Sequence, residues 1–434
     1  MIFSNAKVNG FTLLELLIVV SILTILAVIV VVVINPSQIL AESRDAQRIS
    51  DSAAIKTAVP TYLLANSTTA DLDGPNHTTS CSGEATQKVF VSVPSDNGET
   101  APNDLPVGWS YSQVTSANLG KVDGAGWLPI NFNSGQASPL SNLPIDPTNT
   151  FATGQYYMYT CSRGAGTYEL DIKMSSAKYG QNGSLDKMTN DGGDNVGRYE
   201  TGTSLTIGPP DYSHAVLNTS GLVSYWRLGE ASGVNAADAL GLNNGTYVSS
   251  PTLGEAGLLV DDENTAATFN GSSQYVLVAS AKIIGGLSSW SIVAWVSNAS
   301  ITLRRPIYAE RPSSGNDLLK MELNSGTGNI ALTYRDDVGT LNQPIGTASL
   351  AGGPHLAAIT KSGTASAFYV DGAAAGTATL TATDTWTNAG IESRISADTS
   401  GQYLNATIDE VALYNVVLTP SQITYLYNLG ISNQ

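Results

Sequence analysis

The chain has 434 residues, 42% of them hydrophobic, and a formal net charge of −16. That length exceeds one typical domain and predicts two or three. The acidic balance excludes a nucleic-acid surface, which needs clustered Lys and Arg, and leaves cations and neutral sugars open as ligands.

A short polar leader containing Lys7 ends at Gly10, and residues 10–34 then read GFTLLELLIVVSILTILAVIVVVVI. Residues 16–34 carry no charge, close to the ~20 apolar residues that span a bilayer as a helix. An ordinary signal peptide has its cleavage site after the apolar core. Here the candidate cut precedes the core, so the mature chain keeps it. Glu15 is the one charge in the run; such a group costs about 2.5–3.5 kcal/mol to insert and demands a partner or a function. These residues resemble the N-terminus of a type IV pilin or type II secretion pseudopilin. The resemblance implies a prepilin peptidase that cuts between Gly10 and Phe11 and methylates the Phe11 amine. Glu15 then becomes the fifth mature residue and pairs with the N-terminal amine of a neighbouring subunit. It further implies a single pass through the cytoplasmic (inner) membrane, leader inside and globular part outside. Assembly with other pilin subunits then places the chain in a pilus or pseudopilus, or at the cell surface.

Residues 37–66 continue as an amphipathic pattern: Ile39, Leu40, Ile49, Ile55, Val59 and Leu63 recur among Arg44, Asp45, Arg48 and Asp51. That spacing predicts a helix, kinked at Pro36 and weakened again at Pro60. From residue 66 the texture turns to Gly, Pro, Ser and Asn between short runs of strand character at 89–94, 155–162 and 167–176. The LPIDPTN segment at 143–149 and the Asp- and Gly-rich segment at 190–207 resemble loops of pseudopilin globular domains. The pilin resemblance thus divides residues 1–207 into a leader (1–10), a transmembrane and filament-core helix (11–65) and a small β-rich globular domain (66–207). Cys81 and Cys161 both follow the span, on the side where disulfides persist. A bridge between them is expected, contributing ~4–5 kcal/mol by the loop-entropy argument; free thiols are the alternative. Zinc ligation is disfavoured because no His or second Cys pair sits at ligand spacing.

Residues 208–221, with Pro209 and Pro210, form a linker. From 222 to 434 apolar and polar residues alternate in many short runs with turn residues between them, the pattern of an all-β sandwich. Tyr225-Trp226, Phe269-Asn270-Gly271, Trp295-Val296, Tyr369-Val370-Asp371-Gly372 and the segment IDEVALYN at 408–415 resemble, in that order, a LamG-like jelly roll of the concanavalin A-type lectin/glucanase class. The expected fold class is α+β multidomain: a long N-terminal helix with a small β-rich domain, then a jelly-roll sandwich.

Calcium is the expected cofactor, since hard cations want carboxylate, amide and carbonyl oxygens. The jelly-roll resemblance points to Asp238, Asn244 and Asp409; the pseudopilin resemblance points to Asp191 and Asp194, with Asn195 beside them. For a sugar platform, Trp386 in a loop-like run and Tyr308 among Arg304, Arg305 and Arg311 are the candidates, while Trp226, Trp290 and Trp295 fall at core positions. No enzyme is expected. Retaining glycosidases need two carboxylates ~5–5.5 Å apart, and the nearest approach to a Glu-x-Asp-x-x-Glu pattern is Glu169-Leu170-Asp171, outside the jelly roll. Asp409 and Glu410 are adjacent and would face opposite sides of a strand. The expected function is a minor pilin-like subunit presenting the jelly roll for adhesion, with a glycan or surface protein as ligand. The alternatives are a minor pseudopilin contacting secretion cargo and, less favoured, a polysaccharide hydrolase.

Overall fold

The computed structural model describes residues 12–432 except 67–69, 75–80, 82–86, 135–137, 163–165, 261, 263, 279–281, 299–301 and 313–314, with backbone alone at 28–34 and 298. Gly10 and Phe11, the expected processing site, lie outside the described residues.

Helix α1 (Leu13–Ile34) starts on a reciprocal cap. The Thr12 N–H and hydroxyl donate to Glu15 Oε2, both at 2.9 Å, and the Glu15 N–H donates to Thr12 Oγ1 at 3.2 Å. Its described apolar side chains, from Leu13 to Leu26, are exposed on every face. Among the described residues no helix is long and apolar enough to cross a membrane; the expected span extends over 28–34, whose side chains are outside that set. The sequence predicts one kinked helix here, but the helix is interrupted. Asn35 takes a left-handed φ of 42° and Pro36 opens α2 (Pro36–Ala65). Proline suits a first helical position because its missing N–H has no acceptor there. Pro60, by contrast, sits inside α2 without ending it.

Ile55, Ala58, Val59 and Tyr62 of α2 pack onto a five-stranded sheet. Its strands are β1 (Lys88–Val91), β2 (Ser110–Ser112), β3 (Tyr157–Ser162), β4 (Thr167–Ile172) and β5 (Tyr199–Gly202), in the order β2-β1-β3-β4-β5. The β1–β2 pair is parallel and the others antiparallel. Phe90, Trp127, Tyr157, Tyr159 and Leu170 fill the space between helix and sheet. Cys81 and Cys161 are joined in a disulfide within this core, Cα atoms 4.7 Å apart. Arg48 on α2 is fully buried and clamps the helix to the sheet's loops: Nε and Nη2 donate to Asp146 at 2.6 and 2.9 Å, and Nη1 to Asp45 at 2.7 Å. Asp45 in turn accepts from the backbone N–H groups of Ser175 and Ser176.

After a short helix α3 (Tyr212–Asn218), the chain forms two face-to-face antiparallel sheets. In one, the strand Asn405–Tyr414 pairs along one edge with Ser289–Asn298. Its other edge is shared: its first half pairs with Thr265–Asn270 and its second half with Leu222–Trp226. The other sheet is built around Arg305–Pro312, Leu318–Leu323 and Asn329–Arg335. Trp226, Phe269, Trp290, Tyr308 and Ile408 fill the space between the sheets. The first sheet is covered again on its outer face by α3 and the C-terminal helix α4 (Pro420–Ile431), which bury Tyr212, Trp295, Tyr414, Ile423 and Leu426. Burial on both faces explains why residues 292–296 of the strand Ser289–Asn298 are apolar without alternation.

Candidate functional site

The pleat of β4 places Tyr168, Leu170 and Ile172 in the core and turns Glu169 and Asp171 to the opposite face. In the antiparallel register Asp171 stands directly across from Glu200 on β5. Glu169, Asp171 and Glu200 are all buried, and oxygens from the three lie within 4.8 Å of one another. The Asp- and Gly-rich loop and the linker close over them. Glu169 Oε2 accepts from the N–H groups of Ile207 (2.8 Å) and Gly208 (3.0 Å). The Glu200 carboxylate accepts from the N–H groups of Asp194 and Asn195.

These donors leave several oxygens without a hydrogen-bond partner: Glu169 Oε1, both oxygens of Asp171, and Asp194 Oδ1. Two glycines make room for the group. A Cβ on Gly193 would fall 1.8 Å from Glu200 Oε2, and one on Gly208 would fall 2.5 Å from Glu169 Oε1. Burial first, then mutual repulsion, drives the carboxyls up: Glu200 is pushed to about 12 and Asp194 to about 6, with Asp171 raised well above the usual range. The Arg198 guanidinium opposes the shift at Asp171, but one cation cannot balance three carboxylates. Carboxyl oxygens converging on a glycine-lined space, where burial forces them to hold protons that a cation could displace, fit a hard divalent cation.

Of the residues singled out in the sequence, Asp194 lies beside this group: its N–H donates to Glu200 and its Oδ1 is buried without a hydrogen-bond partner. Asp191 instead braces the loop, its oxygens accepting from the N–H groups of Gly193 and Glu200. In the jelly roll, Asp238 accepts from four backbone N–H groups, those of Tyr225, Leu240, Leu242 and Asn243, and Asn244 Oδ1 accepts from the Asp238 N–H. Asp409 accepts from Leu258 N–H and Asn264 Nδ2. These three are occupied in holding loops. Asp409 and Glu410 were expected on opposite faces. Instead the strand bulges there with Glu410 at φ 52°, and both carboxylates accept from Asn264 Nδ2.

The two platform candidates are corrected by burial. Trp386 is only 7% exposed, stacked on Tyr334 and laid across Gly285. Tyr308 is fully buried, facing Trp226 and donating to Glu310. The arginines around it are engaged: Arg304 pairs with Glu322 and Arg311 with Asp398. A loop-like composition does not report which way an aromatic ring turns. The β4–β5 cluster did carry a signal, since Glu-x-Asp on a strand shares one face. As a glucanase pattern on one strand it is incomplete, because the third acid comes from β5 across the register.

Residues 5–31 match the prokaryotic N-terminal methylation motif, and residues 270–424 match the concanavalin A-like lectin/glucanases superfamily. The chain therefore joins a pilin-type N-terminus to a LamG-like domain. Among curated proteins no relative is found. Several solved structures are similar. Domain 4 of AbnA, an extracellular arabinanase from Geobacillus stearothermophilus solved with arabinotriose, aligns at 18% identity and TM-score 0.38, over 48% of this chain and 98% of that one. A Trypanosoma rangeli sialidase aligns at 17% identity and TM-score 0.38, over 49% of this chain and 33% of that one. The binding domain of botulinum neurotoxin serotype D aligns at 13% identity and TM-score 0.37, over 48% and 51%.

Proposed function

We propose that this chain, a pilin-type methylation motif ahead of a concanavalin A-like domain, is a non-enzymatic minor subunit of a type IV pilus-like filament. The jelly roll serves as its recognition head for a glycan or surface protein. The observation that carries this reading is the methylation motif at 5–31 on a helix whose described apolar side chains are exposed all round. A helix apolar on every side needs lipid or other helices around it. Membrane anchoring before assembly and packing among neighbouring subunits afterwards supply those surroundings in turn. Prepilin peptidase cuts between Gly10 and Phe11 and methylates Phe11. Glu15, which caps α1 through Thr12 in the single chain, then pairs with a neighbour's N-terminal amine. A head as large as the jelly roll crowds a filament if every subunit carries it, which favours a minor or tip position.

Calcium belongs to the same reading, held by Glu169, Asp171, Glu200 and Asp194. It would neutralise the buried charge and fix the segment that leads into the jelly roll. The experiment that tests the assignment is mass spectrometry of the chain recovered from cells with an active prepilin peptidase. A mature N-terminus at Phe11 carrying one added methyl is expected; an intact leader overturns the assignment.

A further inference from the structure

The β-rich N-terminal domain and the jelly roll meet along an open cleft of about 580 Å³, within the range of small-ligand sites. One wall is the segment 101–113, including edge strand β2; the other is one face of α4, with Ser421, Thr424, Tyr425 and Asn428 at helical spacing. A second cavity of about 290 Å³ shares Pro106, Trp109 and Tyr425 with the first, so these residues line both spaces.

The lining is chemically specific. In a chain of net charge −16, the 580 Å³ cleft has no Asp, Glu, Lys or Arg among its lining residues. It offers Trp and Tyr rings together with Asn, Gln, Ser and Thr. The wall is stiff where it matters: Tyr111 donates to Asp104 Oδ1 at 2.8 Å and packs on Phe151. Tyr425 Oη is buried yet has no hydrogen-bond partner, an arrangement that is costly unless something supplies one. An anionic ligand would find no counter-charge among these residues and would meet the nearby carboxyls of Asp104, Asp194 and Asp211 around Tyr425. A peptide adding to the sheet would find an edge strand of only three residues. Flat, hydroxyl-rich, uncharged molecules suit both the rings and the amides.

We infer that this interdomain cleft is a binding site for a neutral oligosaccharide, with Trp109 as the stacking platform and Tyr425 Oη hydrogen-bonding a sugar hydroxyl. The inference rests on the recognition role proposed above and moves its site from the jelly roll alone to the joint between the two domains. Both domains are then needed for binding, and the linker is part of the receptor.

The test uses the full chain in a sugar-free detergent on a glycan array, followed by titration of the strongest neutral glycan. Trp109→Ala, Tyr425→Phe and Ser421→Glu are compared with wild type; Ser421 is exposed, so a charge there disturbs the cleft without disturbing the core. Wild type is expected to bind neutral glycans, with Trp109→Ala and Ser421→Glu each weakening binding about tenfold or more, the latter at unchanged melting temperature; Trp109 also packs on the Phe151 cluster, so Ser421→Glu is the control for folding. Neutral-glycan binding that all three variants retain overturns the cleft and leaves the recognition role standing. Binding confined to charged glycans, or a Trp109-dependent preference for peptides on a parallel peptide array, overturns the neutral-sugar assignment. Absence of binding to glycans and to peptides alike removes the recognition role together with the site.

Discussion

Arg48 shows how much one side chain can hold. It is fully buried between Asp45 and Asp146, with Ser175 and Thr148 accepting its remaining protons. Replacing Arg48 with Met leaves two buried carboxylates uncompensated, and about 3–5 kcal/mol of stability should be lost; the urea midpoint of the N-terminal domain measures it. Glu410 gives a prediction in pH. Burial raises it from 4.5 to about 7, with Arg227 opposing and Asp262 reinforcing the shift, while Tyr225, Asn264 and Arg227 hold it and the raised Asp409 sits beside it. A carboxyl raised on folding binds its proton more tightly in the native state. Its stabilisation is therefore complete below pH ~4.5 and declines as pH rises through about 7, by about 3 kcal/mol. Wild-type stability minus that of Glu410→Gln, followed by denaturant melts from pH 4 to 8, should fall with that slope. At this scale the sequence was least informative. Trp386 and Tyr308 looked available because neighbouring composition was polar, and the Asp409–Glu410 pair looked divided because a bulge does not announce itself in alternation.

Elements were more legible than side chains. The helix over 36–65, the hairpin of β3 and β4 and the alternating strands of the jelly roll all follow from periodicity. The break at Asn35 did not, because proline predicts a lost hydrogen bond but cannot say whether the preceding residue turns left-handed. The carboxylate cluster was half legible: Glu169 and Asp171 share a face by the pleat, but Glu200 reaches them only through a register that local sequence does not encode. The disulfide ties the segment before β1 to β3, across 80 residues of chain. Its loss in Cys81→Ser/Cys161→Ser should cost about 2–5 kcal/mol. A drop in melting temperature that a reductant reproduces in the wild type, and does not deepen in the double variant, checks this.

Across the whole molecule, the carboxylate cluster and the domain joint are one structure. The carbonyl of Asp194 accepts from Asp211 N–H, Asn195 Nδ2 donates to the Pro209 carbonyl, and Glu169 receives the N–H groups of Ile207 and Gly208. The linker is thus fastened by the residues that would ligate calcium, and Asp194 and Gly208 also line the smaller cavity beside Trp109. A ligand that binds only the folded state stabilises it by about 2.7 kcal/mol at a hundredfold excess over Kd. Calcium should therefore raise the melting temperature, and a chelator should reverse the rise. Asp171→Asn separates this from a general salt effect. Without calcium the wild type must protonate Asp171 in order to bury it, a cost that Asn is spared, so the variant should melt at or above the wild-type temperature. With calcium it lacks a ligand and should melt below the wild type. That crossing of the two rankings, read by calorimetry in calcium and in chelator, is the signature of a cation site. A parallel shift of both proteins would instead mean that the cluster is held by shared protons and that calcium acts elsewhere. If the rankings cross, sugar affinity at the cleft should also fall on chelation, because the cation and the cleft depend on the same few residues of linker.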